Sequence, residues 1–166
     1  TDVQKVTEPK KVVDETEKWT TFTPDSKLYT IKLPDGWTFV HQNDDCDCLF
    51  SGTMNFNSGS SATIETAQGG RDGVVGFMIF TDSKDDSGER FSRFQKLGTF
   101  KSDTLEGTKY YFEQKEATEG IGLDKGGKEY AYYFVKDGKG IYIAYSINPG
   151  SVNQLELVEK SIKTLK

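Results

Sequence analysis

From Leu28 onward the chain alternates apolar and polar positions with the period of two that belongs to strands. In Leu28-Tyr29-Thr30-Ile31-Lys32-Leu33, the residues Tyr29, Ile31 and Leu33 share one face, with Thr30 and Lys32 on the other. Pro34-Asp35-Gly36 is turn chemistry, and Trp37-Thr38-Phe39-Val40 restarts an extended segment. Residues 43 to 48 read as an acidic loop, followed by strands over Leu49 to Phe56 and Ala62 to Thr66. Val74 to Phe80 is nearly all apolar, the pattern of a central strand buried on both faces. Tyr110 to Lys115, Tyr130 to Val135 and Ile141 to Ile147 give three more strands, the last two joined as a hairpin through Lys136-Asp137-Gly138-Lys139-Gly140.

Two stretches change period. Phe91, Phe94 and Leu97 recur at threes, which predicts a short helix ended by Gly98, with Ser87 as its N-cap. Near the C-terminus, Leu155, Val158, Ile162 and Leu165 form a helical stripe behind Asn148-Pro149-Gly150, with Ser151 and Gln154 at capping-box spacing. That stripe must pack on a sheet face. Residues 1–21 carry few apolar positions among charges, so they are expected to be a flexible N-terminal tether ahead of one domain over residues 22–166. The expected class is α+β, a central antiparallel sheet flanked by helices.

Composition narrows the functions open to such a domain. Its 166 residues suit a single core, and two Trp, eight Tyr and eleven Phe favour pleated surfaces over helical bundles. A net charge of −5 without a basic patch argues against a nucleic-acid surface. The mainly apolar run from Gly73 to Phe80 is far shorter than a membrane-crossing helix, so no direct span is expected. The chain opens on Thr1, which suggests a removed leader, and with it a lipid anchor.

Strand and turn strings at both ends resemble one family. Tyr29-Thr30-Ile31-Lys32-Leu33-Pro34-Asp35-Gly36-Trp37 is similar to the opening strand and Pro-x-x-Trp turn of PsbP-like domains, and the closing hairpin and helix resemble that family's end. The resemblance implies an antiparallel sheet packed by helices in an α/β/α sandwich. It further implies an exported domain, often a bacterial lipoprotein or thylakoid-lumen subunit, that binds or assembles and does not catalyse.

Candidate chemistry is sparse. Gly122 to Glu129 meets phosphate-loop spacing except at its last position, where Glu129 replaces the hydroxyl that would ligate magnesium, and a strand follows where a helix is needed. Asp44, Asp45 and Asp47 with Asn43 form one acidic cluster, and Asp82, Asp85, Asp86 and Glu89 form another. Each is short of the six to eight oxygens calcium takes, and reads as a solvated loop.

Cys46 and Cys48 leave three readings: a strained bridge, two free thiols, or half of a soft-metal site, with His41 near but no further Cys to complete a zinc set. His41 is the sole imidazole, and no nucleophile elbow accompanies it. Alternation of the tyrosines places Tyr110 and Phe112 with Tyr130, Tyr132 and Phe134 on one side and Tyr111 and Tyr133 on the other. The latter become core if a helix covers them, or a binding surface for carbohydrate, peptide or protein if not.

The expectation is a monomeric, exported, non-catalytic binding or assembly protein with an unidentified protein or small-ligand partner, and with no assigned cofactor, metal or catalytic residue. Its alternatives are a small hydrolase or transferase using loop carboxylates or the His41 and Cys46 region, and an intracellular small-GTPase regulator.

Overall fold

The structure is a computed structural model that describes residues 14–23, 27–34, 37–43, 46–51, 53–56, 62–65, 71–80, 91–117, 123–150 and 153–166; between residues 37 and 80 it defines strand path and pairing. Among the described residues there are eleven strands: β1 Thr20–Phe22, β2 Ile31–Leu33, β3 Trp37–Asn43, β4 Cys46–Ser51, β5 Thr53–Phe56, β6 Ala62–Glu65, β7 Arg71–Phe80, β8 Gln95–Lys101, β9 Glu106–Glu113, β10 Lys128–Lys136 and β11 Lys139–Ile147. A 3₁₀ turn, Glu15–Lys18, precedes them, and one α-helix, α1 (Leu155–Lys163), follows.

The main sheet is antiparallel in the order β3-β4-β7-β11-β10-β9-β8, with the β5–β6 hairpin pairing onto the same edge of β7 that carries β4. Val74 to Phe80 thus lies in a central strand by pairing, between β11 and β4. Hairpin β10–β11 closes through Asp137 and Gly138, both at positive φ (51° and 73°), the two-residue turn that Asp-Gly favours because its twist matches that of the strands.

One face of the sheet carries α1. Tyr132, Phe134, Ile141, Ile143, Tyr145 and Ile147 point into this layer and meet Val158, Ile162 and Leu165 from the helix end of the chain. The two-stranded β1–β2 sheet completes the layer, adding Leu28, Tyr29, Ile31 and Leu33 to the same core. Polar ties lock it: Ser161 Oγ donates to Lys32 O at 2.5 Å, Lys32 N donates to Thr164 Oγ1 at 2.8 Å, and residues Thr30 and Lys166 exchange two backbone bonds at 3.0 Å. The last helical carbonyls, which have no partner within the helix, are served by Thr164 N, Leu165 N and Asp103 N.

The structure departs from the sequence expectations at five places. The expected tether is partly built into the fold, since Glu15–Lys18 and β1 dock on the helix layer, with Glu15 paired to Lys160 at 2.7 Å and Lys32 Nζ on Thr16 O at 3.1 Å. Cys46 to Cys48 belong to β4 and not to a loop; only residues 44 and 45, outside the described residues, separate it from β3. Phe91 to Phe94 form a turn, and Leu97 lies in β8, because pairing with β9 captures residues from Gln95 on. Helix α1 starts at Leu155, whose N–H bonds Asn153 Oδ1 at 2.9 Å; Ser151 of the expected capping box lies outside the described residues.

The fifth difference concerns the layers. Among the described residues a single α-helix covers one face, while the other is covered at β9–β11 by the Phe91 turn; the helix-flanked sandwich is seen from one side only.

Candidate functional site

Register decides which tyrosines share a face. Tyr130 pairs with Tyr111 and Ala131 with Tyr110, so β9 sits one residue out of step with the expectation: Tyr111 joins Tyr130 on the helix side, and Tyr110 joins Tyr133 on the other. Sequence alternation gives two classes within each strand but cannot phase one strand against the next.

On the helix side, beyond the end of the apolar core, lies a polar and aromatic corner. Tyr132, fully buried, donates its hydroxyl to Glu159 Oε1 at 2.7 Å, and Lys109 Nζ contacts the same oxygen. The ammonium also sits 5.4 Å and 5.7 Å from the ring centres of Tyr130 and Tyr132, a cation–π arrangement that offsets part of its desolvation. Burial, then the Glu159 carboxylate, holds the Tyr132 phenol well above its ordinary pKa. Tyr111, 5.2 Å from Tyr130, donates to Glu113 at 2.9 Å, and burial together with that carboxylate pushes its pKa up to about 12. These contacts tie α1 to the sheet through Glu159.

The opposite face is organised differently. Phe91, Ala131, Tyr133 and Tyr142 form a second small core. Phe91 stacks on Tyr110 with centroids 4.0 Å apart and planes 2° from parallel, and it meets Tyr133 and Tyr142 at 5.9 Å and 5.6 Å. The turn thus supplies the cover expected from a helix, which makes Tyr133 and Tyr142 core residues. Its rim stays accessible: Phe94 and Phe112 are half-buried with centroids 5.4 Å apart, and the exposed Arg93 guanidinium lies 4.7 Å from the Phe112 ring centre. Glu129, across from Phe112 in register, accepts from Tyr142 Oη at 2.8 Å and Ser146 Oγ at 3.1 Å.

Glu129 therefore has a structural role in the second-face network. Gly122 lies outside the described residues; from Leu123 the string runs through a turn at Lys125-Gly126 straight into β10, pinned by Gln114 to Gly126 and Gly127 and by Asn148 to Asp124, so a strand and not a helix N-terminus follows it.

His41 lies opposite Asp47 in the β3–β4 register, and by strand alternation Asp47 is on the other face from Cys46 and Cys48. The register thus places His41 on the opposite face of the sheet from Cys46 and Cys48. Asp44, Asp45, Asp82, Asp85, Asp86 and Glu89 fall outside the described residues, as does Ser87. Sequence reasoning missed the Lys109–Glu159–Tyr132 corner and the Arg93–Phe112 rim. Both join residues far apart in the chain, and only the spacing of Phe91 from Phe94 hinted at the second.

The arrangement defines a class first: an antiparallel sheet closed by a C-terminal helix and a small N-terminal sheet on one face, with an aromatic cluster on the other. This is a PsbP-like fold. The chain is similar to the solution structure of cyanobacterial PsbP (CyanoP) from Synechocystis, with a TM-score of 0.52 and 12% identity over 89% of this chain and 91% of that one. It is also similar to a crystal structure of a protein from Bacteroides thetaiotaomicron, with a TM-score of 0.50 and 10% identity over 88% of this chain, which spans 47% of that protein. No family model and no curated protein matches the sequence. No helix among the described residues is long and apolar enough to cross a membrane.

Proposed function

We propose that the chain is an extracytoplasmic, non-catalytic binding or assembly protein, a monomer held near a surface through its N-terminal segment and a lipid anchor upstream of it. The observation that carries this reading is the rim of the second face. Arg93 is exposed, Phe94 and Phe112 are half-buried, and the three are in mutual contact, the guanidinium over the Phe112 ring and the two rings tilted against each other; these are residue types enriched at the energetic centres of protein interfaces. Rings already held in place lose little freedom on binding, which favours a surface built for a partner. The PsbP-like fold supports the extracytoplasmic and non-catalytic parts of the reading, as does the similarity of both chain ends to that family.

The test is in-cell cross-linking of the tagged full-length precursor in its host, followed by fractionation. One cross-linked partner outside the cytoplasm is expected with the natural chain, and its loss is expected with the Arg93→Glu, Phe112→Ser double variant if that variant keeps the natural melting temperature. Cytoplasmic residence, or equal cross-linking by both chains, would refute the proposal.

A further inference from the structure

Strand β8 ends the main sheet, paired with β9 and with no other strand among the described residues. Alternate residues of such an edge direct their N–H and C=O groups away from the sheet, a ladder open to an added extended chain. Register fixes what borders that ladder. Lys96 lies opposite Tyr110 and Thr99 opposite Thr108, on the face of the Phe91 cluster, whereas Phe100, opposite Gly107, is buried in the helix-side core. Tyr110 and Phe112 are two apart on β9 and share a face, so Lys96 beside the first and Arg93 over the second are neighbours. Both cations are exposed and neither has an ion pair among the described residues, while Lys101 is held by Glu106 at 3.2 Å. Leu97 is the extra residue of a bulge between Lys96 and Gly98, which leaves Gly98–Lys101 as the regular part of the edge.

We propose that the β8 edge takes up an extended, acidic segment of the partner protein as an added strand, with carboxylates of that segment beside Lys96 and Arg93; this rests on the reading of the Arg93 rim as the partner-binding surface. In this mode main-chain hydrogen bonds supply affinity and the flanking side chains choose the sequence. Charge names the occupant. Residues Gln95–Lys101 include two lysines and no acid, and Arg93 adds a third cation, in a chain whose net charge is −5. Complementary charge speeds encounter and rejects partners of the wrong sign. The same cations oppose a second copy of the chain, whose edge carries the same charge. Strand alternation then sets the pattern of the guest: acids at every second position face Lys96 and Arg93, and apolar residues between them extend the helix-side layer beyond Phe100.

The experiment uses the full chain and, as probe, a synthetic peptide of alternating aspartate and valine, about eight residues long to match a strand of this length. The corresponding lysine–valine peptide is its control. The aspartate peptide is expected to bind, more weakly as salt rises, and to slow amide exchange at alternate residues of Gly98–Lys101. Methylating one set of alternate peptide amides should abolish binding, and methylating the other set should leave it. Lys96→Glu should weaken binding about fivefold, while Lys163→Glu, the same charge change on α1, leaves it unchanged. Melting of both variants checks folding; if Lys96→Glu unfolds, Lys96→Gln takes its place. Absence of binding by the aspartate peptide would overturn the proposal. So would equal binding of the lysine peptide, unaltered exchange in β8, or equal binding by both methylated peptides. The two readings fail separately, since any of these results together with cross-linking that still depends on Arg93 and Phe112 removes the added strand and leaves the rim.

Discussion

Removing one hydroxyl tests the reading of the buried Tyr132–Glu159–Lys109 corner at two pH values. Tyr132 donates to a carboxylate at 2.7 Å from a fully buried ring, and hydrogen bonds to charged groups contribute roughly 1.5 to 3 kcal/mol. In Tyr132→Phe, Lys109 still satisfies Glu159, so the expected loss at neutral pH is at the lower end, about 1.5 kcal/mol. Alkaline pH adds an independent signature. The folded-state pKa of Tyr132 lies above the ordinary 10.0 because burial and then Glu159 disfavour the phenolate. A group raised in this way contributes stability that is complete below its unfolded pKa and is lost as pH rises beyond it, by about 1.4 kcal/mol per pH unit. Between about pH 9 and about pH 11.5 the natural chain should therefore lose about 2 kcal/mol on account of this one group, and the variant should be spared that loss. Urea unfolding followed by circular dichroism at both pH values measures it. Parallel stability losses for the two chains would refute the argument, because the phenol would then ionise as readily in the folded state as in the unfolded one.

Further outcomes follow from the packing. Ile162→Ala, at a site 1% exposed under the sheet, should cost about 3 kcal/mol in urea unfolding. Gly107→Ala would place a Cβ 2.3 Å from the Tyr133 carbonyl oxygen and 2.6 Å from Phe134 Cδ1, and should cost more than about 2 kcal/mol. At Gly138, which has open space and φ of +73°, alanine should cost only the backbone strain of about 1 kcal/mol, and the melting temperatures should rank the two glycine variants in that order. Asp14 is held below the ordinary carboxyl value by bonds from Thr16, so its contribution is present above pH 3.8 and fades as pH falls; hydrogen-exchange protection in the Glu15–Lys18 turn should weaken with it.

What the sequence made legible was whatever depends on one segment at a time. The Ile141 to Ile147 alternation, the Asp137-Gly138 turn and the Leu155 to Leu165 stripe each carry their own signal, and each is found in the structure. Tyr111 shows where that information stops. Its face follows from the phase of β9 against β10, a property of two strands 15 or more residues apart in the chain that neither encodes alone. Phe91, Phe94 and Leu97 show a second limit, since spacing by three reads as a helix whereas pairing of Gln95 to Lys101 with β9 places Leu97 in a strand. The N-terminal segment shows a third. Glu15–Lys18 and β1 have little apolar surface of their own and are held by Lys32 and the edge of β2 and by Lys160 at the far end of the chain, partners that the segment's own pattern does not encode.

The same layering bears on how a partner would approach. Residues 14 to 22 lie on the α1 side, tied to Lys160 and β2, which puts Asp14 in the helix layer. Arg93 and Phe112 belong to the opposite side of a sheet whose two layers share no side chains among the described cores. Attachment at one layer and recognition at the other are then geometrically compatible, because a chain held through its N-terminus keeps the Arg93 rim on the far side of the sheet. If the rim instead lay beside the 3₁₀ turn, an anchor would crowd the partner. Moving the attachment tests this: a chain tethered through a cysteine introduced at Leu97, in the β8 edge strand next to β9 and 46% exposed, should lose partner capture that N-terminal tethering preserves. Equal capture in both orientations would show that the rim is not where the partner binds.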